Sequence, residues 1–343
     1  MRVLVTGNLG YIGTVLTPRL TDSGHDVCGL DSGFFKECVI GEPPNDVPTV
    51  NRDIRDVKES DLMGIDAVIH LAGLSNDPMG ELVPSLTEDI NYHATMRLAQ
   101  LARSAGVKRF VYASSQSMYG VSPTDVELDE DNSEKAPVTA YAKTKWAAES
   151  ALRNMASPDF LTVSFRPSTV FGVSPRQRCD IVFNNLVGAG FTTGKISIKS
   201  DGTPWRPVLH VRDACQAFES GISAPGELLN GRAFNVGPRE GNYTVRELAD
   251  AAQRANTGST LEYTGEHGND SRTYRISFER INRELRDYFR PSWSLASGAE
   301  ELVSHWNDVG FTEEMSNGSK CVRLAKLHEL LADGSINEDL RFV

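Results

Sequence analysis

The stretch Arg2-Val3-Leu4-Val5-Thr6-Gly7-Asn8-Leu9-Gly10-Tyr11-Ile12-Gly13 decides how the rest of the chain is to be read. A β-branched apolar run ends on three glycines spaced G-x-x-G-x-x-G, and a helix opens beyond them. In that pattern Gly7 permits a tight turn, Gly10 lets backbone approach a pyrophosphate, and Gly13 lets the helix pack closely on the strand. The helix N-terminus then presents N–H groups and a positive dipole end to phosphate. A glycine triplet by itself also fits an ordinary βα turn. Its place between a strand and a helix gives it the context of a dinucleotide site.

Working outward, the next strand runs Asp26-Val27-Cys28-Gly29-Leu30 and ends in Asp31, roughly twenty residues past the turn. A carboxylate there accepts from adenosine ribose hydroxyls and repels a 2′-phosphate, which favours NAD over NADP; Asp31-Ser32-Gly33 also reads as a simple turn. Strand Asp66–Leu71 runs into Ala72-Gly73, a helical stretch covers about 84–105, and strand Arg109–Ala113 ends at Ser114-Ser115. This βαβα order predicts a parallel sheet covered on both faces, with ligands at the carboxyl ends of its strands. Gly7–Gly13, Asp31, Asp53-Ile54, Ala72-Gly73 and Ser114-Ser115 all fall there. His70, inside an apolar strand, reads as a core histidine.

Composition narrows the class. At 343 residues the chain is long enough for one large or two modest domains. No apolar run approaches the ~20 residues of a membrane helix, and opening directly on a strand predicts no signal peptide. Five scattered cysteines, with no Cys-x-x-Cys pair, point to reduced thiols and a cytoplasmic location, and away from structural zinc. A formal charge of −11 disfavours nucleic acid. It also means that an anionic substrate needs local arginines.

Tyr141 and Lys145, in Ala140-Tyr141-Ala142-Lys143-Thr144-Lys145-Trp146, stand one helical turn apart on one face. A free Tyr hydroxyl titrates near ~10, and an adjacent ammonium favours the phenolate and fits it for proton transfer. Such pairs also meet as plain surface contacts, so this one takes its weight from the motifs upstream.

Together these stretches resemble the extended short-chain dehydrogenase/reductase family, in its nucleotide-sugar epimerase and dehydratase branch. The matching segments are Val5–Gly13, Leu30-Asp31, Asp53-Ile54-Arg55, His70–Gly73, Ala113–Gly120 and Tyr141-x-x-x-Lys145, within about residues 1–240. The resemblance implies an α/β fold: a Rossmann-type doubly wound parallel sheet with a smaller C-terminal substrate-binding α/β domain. It implies an NAD-binding domain over 1–168, rejoined around 206–238, and a substrate lid from 169–205 and 239–343. It further implies a catalytic set of Ser115, Tyr141 and Lys145. NAD would be held by Gly7, Gly10, Tyr11, Ile12, Gly13, Asp31, Asp53, Ile54, Leu71, Ala72, Gly73, Asn91, Tyr141, Lys145 and Pro167. A nucleotide-diphosphate sugar would meet Ser75, Ser115, Ser117, Tyr141, Asn185, Arg206 and Arg272. No metal is implied. A homodimer built on the helices near 86–105 and 140–156 is, and neither nucleic acid nor membrane is a partner.

The resemblance also speaks to reaction type. Dehydratases and decarboxylases of the branch carry acidic residues just after the catalytic Ser/Thr, where this chain has Gln116 and Ser117. An amide does not titrate and a hydroxyl is too weakly acidic. That favours hydride chemistry and epimerisation at C4 over proton abstraction at C5, with a ketoreductase or dehydratase as the second reading and an inactive NAD-binding regulator as the third. In the second half, Arg166, Arg176, Arg178, Arg206 and Arg212 gather charge for a phosphorylated substrate, or are solvated surface arginines. Asn184-Asn185 and Arg206 match segments that hold the substrate diphosphate, and Arg275 is a weaker candidate beside Arg272. Two departures stand out: Thr169 in place of an Asn, and Pro207-Val208 in place of an acidic–aromatic pair. Trp205 stacks on a base or packs, Cys179 reads as a bystander thiol, and the helical tail at 322–330 reads as core or interface packing.

Overall fold

The computed structural model describes residues 1–122, 125–265 and 273–343. Seven strands form the main sheet: β1 (Arg2–Thr6), β2 (Asp26–Asp31), β3 (Thr49–Asn51), β4 (Ala67–His70), β5 (Arg109–Ala113), β6 (Leu161–Pro167) and β7 (Arg232–Val236). All pairings are parallel, in the order β3-β2-β1-β4-β5-β6-β7. Helices such as Gly13–Asp22 between β1 and β2 and Ala94–Ser104 between β4 and β5 cover the sheet, so β4 is buried along its length and reads as a continuous apolar run. Strand order reverses between β1 and β4, which opens a crevice at their carboxyl ends.

Two apolar clusters cover the two faces of this sheet. A third lies in the second half, where strand Thr169–Phe171 runs parallel to Trp205–His210, itself antiparallel to Asn242–Thr244. Strand Lys195–Ile198 pairs with Thr260–Tyr263. Thr244 caps helix Val245–Ala255 in a reciprocal box with Glu247.

The division of the chain differs from the expected one at two places. The return to the first layer consists of helix Val211–Ser223 and β7, while Trp205–His210 belongs to the smaller sheet. The tail leaves the lid: Leu327, Leu330, Ile336 and Leu340 pack into the first layer's core. Leu327 and Leu330 of helix Arg323–Ala332 are buried there, and removing their apolar area from water holds the helix against that layer. No helix among the described residues is long and apolar enough to cross a membrane.

Candidate active site

One continuous cleft of about 490 Å³ runs along the carboxyl ends of β1, β2, β4, β5 and β6, within the size range of small-molecule sites. Its floor is the glycine turn. Gly7 sits at φ +74°, where a Cβ would stand 2.7 Å from Ala72 N, and a Cβ on Gly13 would stand 2.4 Å from the Gly7 carbonyl. These contacts fold the turn flat under helix Gly13–Asp22, whose N-terminus carries no side-chain cap. Backbone N–H groups at that end are thus left for an anion. Asp31 lines the cleft with its two carboxylate oxygens accepting from Leu9 N (3.1 Å) and Gly33 N (2.8 Å). Its burial raises its pKa.

Every other predicted cofactor residue lines the same cleft except Asn91. Asn91 sits in a π-turn, Asp89–His93, and is buried. Its amide accepts from Leu74 N (2.8 Å) and donates to Leu74 O (3.0 Å), so it shapes the loop after β4 from behind. It stands directly behind Gly73, where a Cβ would meet its Oδ1 at 2.8 Å. Asp53 accepts three hydrogen bonds from Arg55, which hold its carboxyl below the usual range against the opposing effect of burial. His70 is a core histidine. It is bracketed by the Thr6 and Thr95 hydroxyls at 2.6 and 2.8 Å, and burial lowers its pKa to about 3.

Tyr141 and Lys145 open helix Ala140–Met155, capped by Thr139, and both face the cleft. Ser115 follows β5 opposite them; its hydroxyl lowers the Tyr141 pKa and lies 2.8 Å from Ser117 Oγ. The electrostatics depart from expectation. Burial dominates and pushes Tyr141 up to about 12, opposed by the Ser115 hydrogen bond and by the Arg178 guanidinium. Lys145 Nζ donates to Ala113 O at 2.7 Å and stands 5.9 Å from the Tyr141 ring centroid. Burial lowers its pKa to about 8. Gln116 turns its amide away, donating to Arg166 O and Ser168 Oγ.

The arginines divide by partner. Arg166 is fully buried on Glu149 and the Tyr119 hydroxyl, and Arg176 on Asp46, so both serve the fold. Arg212 is exposed beside Glu301. Arg178 and Arg206 do line the cleft. Arg178 pairs with Asp180 at 2.8 and 3.0 Å and donates to Ser75 Oγ at 3.2 Å. Asn185 is exposed on helix Val182–Thr193 and does not line the cleft. The inward residue is Asn184, which accepts from Gly172 N and donates to Tyr11 Oη and Arg178 O. Adjacent positions on a helix point about 100° apart. Arg272 lies outside the described residues; Tyr274, two residues on, lines the cleft. Arg275 lies over the Trp205 ring, 5.0 Å from its centroid. Cys179 lies in the core of the second half with Cys321. Sequence reasoning gave no site role to Phe34, Phe35, Asp180 or Arg323, all of which line the cleft. No cluster able to hold a metal occurs among the described residues.

The loop Gly172–Asp180 forms a roof. Tyr11 Oη donates to Gly172 O (2.8 Å) and Ser174 Oγ donates to Tyr11 O (2.8 Å). Glycine turn, Asp31 and open helix end together fit a dinucleotide.

Comparison with known proteins agrees. The model of the NAD dependent epimerase/dehydratase family matches residues 3–237. The UDP-glucose 4-epimerase of Mycolicibacterium smegmatis is 32% identical over 326 residues, covering 90% of this chain and 99% of that protein. Among solved structures, MoeE5 in complex with UDP-glucuronic acid and NAD superposes with a TM-score of 0.76 at 27% identity, covering 90% of this chain and 99% of that one. DesIV, a dTDP-glucose 4,6-dehydratase from Streptomyces venezuelae with NAD bound, gives a TM-score of 0.76 at 25% identity, covering 92% and 100%.

Proposed function

The chain belongs to the NAD-dependent epimerase/dehydratase family, and from that premise we propose that it inverts C4 of a UDP-hexose. It is an NAD-dependent nucleotide-sugar epimerase. NAD, when bound, supplies a hydride acceptor and donor and, in its oxidised form, a positively charged ring that favours the Tyr141 phenolate. Tyr141 takes the proton of the 4-hydroxyl and later returns it. Ser115 holds the reacting oxygen as charge moves onto it. Lys145, fixed by Ala113 O, would hold the cofactor's ribose and adds its field to that at Tyr141. Arg206 and Tyr274 meet the nucleotide diphosphate, and Arg178 with Ser75 meets the sugar.

One observation supports epimerisation over dehydration. The positions after Ser115 offer an amide turned away from the sugar and a hydroxyl bonded to Ser115, and the nearby Asp180 is neutralised by Arg178. No titratable acid stands in the place next to the catalytic serine. We also propose a cytoplasmic homodimer packed through helices Ala94–Ser104 and Ala140–Met155. Incubation with UDP-glucose in deuterated water, followed by proton NMR, tests the chemistry. The expected product is UDP-galactose without deuterium at C3 or C5. Deuterium at C5, or loss of one water by mass, would replace the reading with dehydration. Tyr141→Phe should lower turnover about 10²–10⁴-fold, the usual worth of a positioned acid–base, while the purified protein keeps its NAD.

A further inference from the structure

Four arginines are buried among the described residues: Arg166, Arg176, Arg178 and Arg323. The first three are each matched by a carboxylate, from Glu149, Asp46 and Asp180 respectively. Arg323 is not. Its guanidinium donates only to the carbonyls of Lys320 (3.1 Å) and Arg176 (2.7 Å) and lies 5.1 Å from the Phe35 ring centroid. Asp180 accepts from the Arg323 backbone N at 3.4 Å, but its carboxylate is otherwise held by the Arg178 guanidinium and by Asn76. Burial accordingly lowers the Arg323 pKa, whereas Arg178 is raised.

A buried cation without a counter-ion is costly, and this one lies on the wall of the cleft rather than in a core. The same cleft receives the uncapped N-terminus of helix Gly13–Asp22. Phe35 follows Asp31 by four residues, on the adenosine side, while Arg206 and Tyr274 mark the substrate side. We propose that Arg323 is the cationic contact for the diphosphate of the dinucleotide, delivered from the C-terminal segment to a site otherwise built by the first half. The inference rests on reading the cleft as an NAD site.

The test compares ADP with adenosine, by calorimetry on protein freed of nucleotide with charcoal. Wild type should prefer ADP. Arg323→Gln should narrow that preference about tenfold or more, the worth of one charge-assisted hydrogen bond, and Arg323→Lys should restore part of it. Because the readout is a ratio, a loss of folded protein leaves it unchanged. An unaltered ADP-to-adenosine ratio in Arg323→Gln, or an equal loss for both ligands, would overturn the proposal. Failure of wild type to bind adenosine or ADP would instead overturn the dinucleotide reading beneath it.

Discussion

At the residue scale the cleft is a contest between burial and local charge. Burial acts on Tyr141 and Lys145 in opposite directions, raising the phenol and lowering the amine, so that both neutral forms gain. For Lys145 the sign of the stability effect follows directly. Its folded pKa of about 8 lies below the ordinary 10.5, so between those values the unfolded chain binds the extra proton. The cost of burying the ammonium is full below about pH 8 and is relieved as pH rises. Denaturation of wild type and Lys145→Met from pH 7 to 10 should therefore show wild type gaining on the variant above pH 8. A constant difference across that range would mean that the amine is not desolvated as the structure has it.

At the scale of elements, the glycine turn and the helix it opens form one rigid unit. In Gly13→Ala the new methyl group meets Gly7 O and the Asn8 backbone at 2.4–2.7 Å, and none of these atoms can rotate away. Overpacking of this kind costs about 1–3 kcal/mol, and the shifted turn should lose NAD. Urea denaturation and the absorbance of released cofactor check both. This unit was legible in the sequence because turn, strand and helix signals all lie within thirteen residues. Asn184 and Asn185 were not separable, since one residue of helix phase exchanges inside for outside. The arginines were worse placed. Their partners lie far along the chain, as with Asp46 for Arg176, and the Arg323 guanidinium is held by the carbonyl of Arg176, 147 residues away. Asn91 carried a motif signal, but its two hydrogen bonds to Leu74 depend on the π-turn and were not legible.

At the scale of the molecule the two halves are not independent. Tyr11 in the first joins Gly172 and Asn184 in the second, and the tail packs its leucines back into the first core. Thermal unfolding followed by circular dichroism and by cofactor release should therefore give one coincident transition. Two separated steps would show that the halves melt apart. The sequence divided the chain more sharply than this because apolar periodicity shows that a helix is buried without showing against which layer.

The roof laid over Tyr11 has a consequence for the kind of chemistry the fold can run. Were a coenzyme seated beneath it, leaving would require those hydrogen bonds to break, and exchange with the surroundings would be slow. An enzyme that consumes its reductant must perform that exchange at every cycle and would be throttled here. A redox-neutral isomerisation, which ends with the coenzyme as it began, is not slowed at all.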